Sequence, residues 1–273
     1  MGLTEFASVV EDAGARGRRS RARCVATELS VFDEIRKMFA ATEDACGRGF
    51  KSSHFAFLGK TGGACRACAG LGWVRSEFDF LGADSWLLCE QCAGQRFDQD
   101  TLSVHWQGMS IADVLNATID ELLGHLESSS VRKLVAGLQA AQELGLGYLR
   151  LGQSADSLSG GEAQRVSLAM HLSRAQASKA SNATLFLLDE PTRGLHPDDI
   201  DAMLKAFERL LDAGHTIVAI EHDLAVIAAA DHVMDLGPDA GEGGGQVVFE
   251  GTPHDLSRCE GSATGRALAL LGG

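Results

Sequence analysis

Two Cys-x2-Cys pairs, Cys65/Cys68 and Cys89/Cys92, stand twenty residues apart, and no other feature restricts the fold of this chain as sharply. A tetrahedral zinc ion takes four ligands, with sulfur at about 2.3 Å, and one Cys-x2-Cys turn brings two thiolates to one side of it. The second turn supplies the other two, while the loop between them is free to vary because only the turns are constrained. Gly62, Gly63, Gly70 and Gly72 crowd the first pair and Gly94 follows the second. Such small residues let backbone amides approach the sulfurs. Cys65, Cys68, Cys89 and Cys92 are therefore expected to hold one Zn2+. Four cysteines leave no open coordination position, so the metal is expected to be structural and not catalytic. The competing reading, redox-active or merely buried thiols, must produce two correctly spaced pairs by accident. Cys24, Cys46 and Cys259 stand alone and read as ordinary thiols; His54 and His105 lie outside the paired turns and read as ordinary polar residues.

Seven cysteines do not read as a disulfide framework, because the N-terminus is acidic and mixed and carries no secretory signal. With 273 residues, 45% of them apolar, the chain can build one substantial core or two smaller ones. Lys and Arg number 24 against 37 Asp and Glu, a net charge of −13. That balance excludes general attraction to nucleic acid, so any DNA contact needs a local basic patch or a partner. Arg16, Arg18, Arg19, Arg21 and Arg23 form the densest candidate patch, with Lys51, Lys60 and Arg75 as further candidates; the alternative is a flexible, solvated tail. No run approaches the roughly 18 apolar residues of a membrane span. No membrane partner is expected, and the expected location is the cytoplasm.

Hydrophobic spacing predicts a helix from Val31 through Phe39, ended by Gly47, Gly49 and Lys51–Ser53. Strands are expected from Trp73 to Phe80 and from Trp86 to Leu88. One helix is expected after Ser110, burying Ile111, Val114, Leu115, Ile119, Leu122, Leu123 and Leu126, and another over Val131–Glu143. Beyond Gly147 the pattern changes. A helix over 157–175 precedes two buried strands, Thr184–Leu188 and Thr216–Ile220, alternating with helices over Ile200–Leu211 and Leu224–Ala230. Val233–Leu236 and Gln246–Phe249 read as further strands around a turn at Gly241–Gly245. Strand and helix alternating over about 100 residues is the pattern of an α/β sheet covered by helices.

Two segments carry nucleotide chemistry. Leu158-Ser159-Gly160-Gly161-Glu162-Ala163-Gln164-Arg165 opens a helix. Ser159 and Glu162 have capping-box spacing, which alone would explain them. A double glycine inside the first turn is costly as mere capping. It leaves amides open at the positive helix end, where a phosphate can sit. Leu185-Phe186-Leu187-Leu188-Asp189-Glu190 is an apolar strand ending in adjacent carboxylates, for which packing gives no reason. Asp189 can hold Mg2+ directly or through water, and Glu190 can orient a water toward a γ-phosphate. The alternative is a solvated turn begun by Pro191. Thr216–Ile220 ends at Glu221-His222, and a histidine there can donate to the γ-phosphate or be an ordinary surface residue.

In order and wording these segments resemble the ATP-binding cassette superfamily, and more narrowly the UvrA family, the damage-recognising excinuclease ATPases of bacterial nucleotide-excision repair. In that resemblance LSGGEAQR at 158–165 is the signature motif, LFLLDEPTRGLH at 185–196 the Walker B and D-loop region, and IEHDL at 220–224 the histidine switch. VFDEIRKMFA at 31–40, CEQCAGQRF at 89–97, SIADVL at 110–115, GLGYLRLGQ at 145–153 and DLGPDAGEGGG at 235–245 look like the C-terminal half of that family, a likeness over residues 29–260.

The resemblance implies a partial ABC-type ATPase core, α/β in class, with an inserted α+β signature domain that carries the four-cysteine zinc module. Residues 1–28 match that family poorly and read as a basic, flexible segment; the resemblance implies a signature-domain region over 29–150 with the zinc module at about 60–97, an ATPase subdomain over 151–260 and a tail over 261–273. Asp189 would then hold Mg2+, and Glu190 and His222 would be catalytic. Ser159, Gly160, Gly161, Glu162 and Gln164 would complete an ATP site across an interface. The implied partners are a UvrA-like dimer partner or upstream half, the UvrB component of the excinuclease and double-stranded DNA.

One element of the family pattern is missing. A phosphate loop needs glycine five positions before Gly59 of Gly59-Lys60-Thr61, and that position is His54. The phosphate-loop lysine and the first strands of the core are therefore expected upstream of Met1. Two functions compete: a DNA-damage-recognition ATPase component that borrows its phosphate loop, and a non-catalytic zinc-containing protein that docks on a complete UvrA-like protein or on DNA. A transport-type cassette has no place for the inserted cysteine module.

Overall fold

The computed structural model describes residues 8–11, 22–58, 62–75, 86–126, 131–177, 183–237 and 245–271. The chain divides into two compact units, Ala13–Ser181 and, built from both ends, Met1–Asp12 with Asn182–Gly273. Strand β1 (Ser8–Glu11) opens the described chain and belongs to the second of these.

The Ala13–Ser181 unit begins with a short helix α1 (Val25–Glu28), followed by α2 (Phe32–Ala40) and α3 (Glu43–Gly47). Helix α2 forms because Phe32, Ile35, Met38 and Phe39 share one buried face. Across from it Phe57 lies 4.8 Å from the Phe32 ring and Phe55 5.6 Å from Phe39. The helix stops at Ala40, short of the glycines expected to end it, because Thr42 accepts the Ala45 N–H and starts α3. Cys24, Val25 and Ala26 are fully buried, so residues 22–28 are packed in this unit and are not part of a flexible tail.

Strands β2 (Trp73–Arg75) and β3 (Trp86–Leu88) pair antiparallel; the expected extension of the first to Phe80 falls outside the described residues. Helix α4 (Gln99–Leu102) leads into the two-residue ladder of β4 (His105–Trp106) and β5 (Met109–Ser110). The helix expected after Ser110 is two helices, α5 (Ile111–Asn116) and α6 (Ile119–His125). Ala117 is extended, and Thr118 caps the second helix, so a capping box outweighs the continuous apolar spacing. Helices α7 (Arg132–Glu143) and α8 (Gly160–Ala177) pack together and keep the signature segment in the same unit as the cysteines. On α7 a Cβ at Gly137 would come 2.5 Å from Val31 Cγ1, so a larger residue there must displace that side chain.

Capping boxes recur in this unit. Asp113, Glu121 and Glu162 each accept the N–H of their cap residue, Ser110, Thr118 and Ser159, at 2.9, 2.8 and 2.7 Å. The Ser110 hydroxyl and N–H hold the Asp113 carboxyl below its ordinary range, and the Thr118 N–H and hydroxyl do the same for Glu121. Burial opposes the charge of Glu162, but hydrogen bonds from Tyr148 and Ser159 outweigh it. Lowered carboxyl pKa values stabilise the fold above the ordinary pKa of about 4, and that contribution fades as pH falls through the lowered values. Thermal melts should therefore show an acid limb below about pH 4 that is shallower in the Asp113→Asn, Glu121→Gln, Glu162→Gln triple variant. An equally steep limb in that variant would remove the boxes from the acid response.

In the second unit β6 (Thr184–Asp189), α9 (Pro197–Asp212) and β7 (Thr216–Ile220) form a strand-helix-strand crossover. The sheet order is β1-β6-β7, parallel throughout, with Val10 opposite Phe186 and Asp189 opposite Ile220. Residues 8–11, expected to be flexible, are thus a sheet strand. In β6, Leu185, Phe186 and Leu188 are buried, and α9 buries Met203, Ala206, Phe207 and Leu210. The expectation that β7 is also buried is corrected: Thr216, Val218 and Ile220 are exposed, Ile220 to 68%. Helix α10 (Leu224–Ala229) precedes the antiparallel pair β8 (Val233–Gly237) and β9 (Gln246–Gly251), whose turn lies outside the described residues. Helices α11 (Pro253–Leu256) and α12 (Ala263–Leu271) follow; Leu268 is buried, so the expected tail is a packed helix. Among the described residues no helix is long and apolar enough to cross a membrane.

Candidate functional site

The sulfurs of Cys65, Cys68, Cys89 and Cys92 all lie within 4.8 Å of one another, and the four residues are buried. Cys65 Sγ is 3.9 Å from Cys89 Sγ, and Cys68 Sγ is 3.7 Å from Cys92 Sγ. Four sulfurs at about 2.3 Å from one tetrahedral ion stand about 3.8 Å apart. The cluster therefore fits a four-coordinate zinc ion.

Two matching turns produce this geometry. Cys68-Ala69-Gly70 and Cys92-Ala93-Gly94 both follow the second cysteine of a pair, and all four Ala and Gly residues have positive φ, from 46° to 83°. Gly70 N–H donates to Cys65 O, Leu71 N–H to Cys68 O and Gln95 N–H to Cys92 O, while Gly72 N–H points at Cys68 Sγ from 3.2 Å. The repeated Cys-Ala-Gly is visible in the sequence as a signal that the glycine count alone passes over. The Cys92 N–H beside Cys89 draws that thiol down to about 7, whereas burial pushes Cys92 up to about 12. His54 and His105 stay outside the cluster: His54 stacks on Phe50 and contacts Thr101 Oγ1 at 3.0 Å, and His105 Nδ1 lies 2.8 Å from Ser103 O.

At the end of β6 Asp189 is exposed, and Glu190 turns out of the strand with φ of +46°. Glu190 N–H donates to Ile220 O at 2.9 Å, which ties the ends of β6 and β7 together. Glu190 Oε2 meets Arg193 at 3.2 Å, and Oε1 is 4.0 Å from His222 Nδ1. Adjacent parallel strands thus present a carboxylate and an imidazole at one end of the sheet.

In the other unit Ser159 and Gly160 are exposed at the start of α8, and a Cβ on Gly160 would meet nothing within 4 Å. The capping box is formed, since Ser159 Oγ also accepts the Glu162 N–H at 3.3 Å. Gly161 is half-buried, and Gln164 is buried to 6% exposure, its Nε2 without a partner. Tyr148, which sequence reasoning gave no role, donates to Glu162 Oε1 at 2.6 Å.

Of the candidate DNA contacts, Arg16, Arg18, Arg19, Arg21 and Lys60 lie outside the described residues. Arg23 pairs with Glu28 at 2.6 Å, and Lys51 and Arg75 are exposed. A missed residue is Glu221: its carboxylate accepts the N–H and hydroxyl of Thr192 at 2.8 and 2.7 Å. Its position directly before the histidine at a strand end was the available signal.

No family model matches the chain. The UvrABC system protein A of Streptococcus pyogenes serotype M1 is 46% identical over 245 residues, covering 90% of this chain and 25% of that protein. The protein of the same name from Bacillus subtilis (strain 168) is 44% identical over 268 residues, 98% of this chain and 27% of that protein. Among solved structures, the crystal structure of UvrA2 from Deinococcus radiodurans superposes with a TM-score of 0.86 at 40% identity, covering 98% of this chain and 32% of that one. These matches extend beyond residues 29–260, the span over which the motifs carry the likeness. The chain spans about a quarter of the length of the curated relatives it matches. With 40–46% identity across nearly all of its length, this chain belongs with the UvrA proteins as a homologue of one part of them.

Proposed function

We propose that the chain is the C-terminal part of a DNA-damage-recognition ATPase of nucleotide-excision repair, working with a phosphate loop supplied by a UvrA-like dimer partner or an upstream half. The observation that carries this reading is that Asp189 and Glu190 stand at the end of β6 and His222 follows the end of the adjacent parallel strand, with 4.0 Å between the Glu190 carboxylate and His222 Nδ1. Bound Mg-ATP would supply the γ-phosphate that water attacks. In this reading Asp189 holds the cation, Glu190 orients the attacking water and accepts its proton, and His222 donates to a γ-phosphate oxygen. Ser159, Gly160, Gly161 and Glu162, with Gln164 behind them, form the signature face that acts on a site in trans. The zinc cluster holds its module in shape and takes no part in hydrolysis.

Two features of β7 favour completion by another segment. It pairs only with β6 among the described strands, and Val218 and Ile220 are 53% and 68% exposed. An unpaired edge with exposed apolar side chains is a place for a further strand to add. The UvrB component of the excinuclease, double-stranded DNA and a cytoplasmic setting complete the proposal, with Lys51 and Arg75 on exposed ground for a DNA contact.

Without an amide cradle and its lysine, the phosphates lose several charge-assisted contacts of roughly 1.5–3 kcal/mol each. The purified chain alone is therefore expected to bind Mg-ATP weakly and release no phosphate. Addition of the phosphate-loop half of a UvrA protein should produce turnover. Turnover by the chain alone, free of contaminating ATPase, would overturn the borrowed loop. No turnover in the mixture, with both halves folded and associated, would leave the non-catalytic docking protein as the reading.

A further inference from the structure

Glu221 joins the end of β7 to His222, yet its side chain turns inward and is only 4% exposed. Oε1 accepts two hydrogen bonds from Thr192, from N–H at 2.8 Å and from Oγ1 at 2.7 Å. Oε2 accepts the His222 N–H at 3.1 Å and lies 3.4 Å from the Asp223 N–H. Thr192 is itself buried, at 5% exposure, two residues beyond Glu190. A buried carboxylate is costly unless its lone pairs are met, and here they are met from two separate strand ends. The His222 ring adds a third relation: Nδ1 lies 4.0 Å from Glu190 Oε1 and 4.0 Å from Glu221 Oε2.

We propose that Glu221 is a positioning residue that clamps the segment after β6 to the segment after β7 and so sets Glu190 against His222. The inference rests on the hydrolytic reading of this site and adds to it the group that keeps its parts in register. The Glu190 N–H to Ile220 O bond joins the backbones only at the strand ends. Beyond that point the Glu221 side chain reaches across by hydrogen bonds to Thr192. An ordinary helix cap would serve α10 alone; that role already belongs to Asp223, which accepts the Ala225 and Val226 N–H groups.

The clamp is tested in the full chain by amide hydrogen exchange at residues 189–193 and 221–224. Glu221→Ala should speed exchange at both segments by about tenfold or more, because local opening loses its tie on each side. Glu221→Gln keeps the acceptor for Thr192 but turns an amide donor toward the His222 and Asp223 N–H groups, so it should speed exchange at 221–224 only. Thr192→Val should mirror it at 189–193, and Thr192→Ser should behave as the wild type.

In the assembly supplied with a phosphate loop, Glu221→Gln should lower kcat by about tenfold or more with KM for Mg-ATP within about twofold, as expected when ground-state binding is untouched. Unchanged exchange in both Glu221 variants, or full kcat in Glu221→Gln, overturns the clamp. A wild-type assembly without turnover defeats the hydrolytic reading instead, while exchange still decides whether Glu221 ties the two segments. Should Glu221→Ala fail to fold, Glu221→Gln and Thr192→Val carry the test.

Discussion

Metal analysis of the purified chain should return about one zinc, and Cys65→Ser or Cys92→Ser should release it, as four-coordinate cysteine sites require all their ligands. The consequence for folding should be large and local. The buried cluster at the centre of the module consists of the four cysteines, with Val74 packed against it. Among the described residues Val74 is the one apolar side chain packed against that cluster, a small core to fall back on once the sulfurs no longer share an ion. Structural zinc in finger peptides is worth about 10–16 kcal/mol at pH 7, far more than a pair of three-residue strands can offer. Chelation should therefore unprotect the amides of residues 62–75 and 86–97. Amides of α2 and α7, which rest on Phe32, Ile35, Phe39, Leu134 and Leu138, should stay protected. The two regions must separate in hydrogen exchange. A chain that carries no zinc, or a module equally protected without it, would contradict the account.

What the sequence made legible follows from the range of each interaction. The paired cysteines and the apolar run of β6 were plain, because a turn and a strand buried on both sides are local patterns. Helix α2 was equally plain from its spacing. Strand β7 looks like β6 in composition but ends the described sheet order, and no local pattern distinguishes an edge strand from a central one. The break at Ala117 lay hidden because the apolar spacing runs through it; Thr118 and Glu121 marked it, three residues apart as a capping box requires. Residues 8–11 and 22–28 were lost to the arginines between and around them. Their order comes from distant partners, β6 for the first and Leu151 and Gln153 for the second. At the site, carboxylates at a strand end were readable as chemistry. Glu221 stood beside that chemistry in the sequence, but its tie to Thr192, 29 residues away, was not readable there.

Glu190 allows a prediction in which activity falls while stability holds. Its φ of +46° places a side chain in the left-handed region, which costs a non-glycine residue roughly 1–2 kcal/mol. The conformation holds because the Glu190 N–H is fixed to Ile220 O and the chain must turn into Pro191. Glycine removes the penalty, so Glu190→Gly should melt no lower than the wild type even though it loses the ion pair to Arg193, an exposed contact worth little. Glu190→Gln should leave stability nearly unchanged, being the same size at the same φ. Both variants lack the carboxylate, and in the assembly that supplies a phosphate loop each should lower kcat by about 10²–10⁴-fold, the usual contribution of a general base. KM for Mg-ATP should change little, because in the proposed hydrolytic reading Asp189 remains to hold the cation. If Glu190→Gln retained most of the turnover, the strained backbone would have some purpose other than aiming a base. If Glu190→Gly were sharply destabilised, the left-handed turn would be held by the side chain itself and not imposed on it by the join between the two strands.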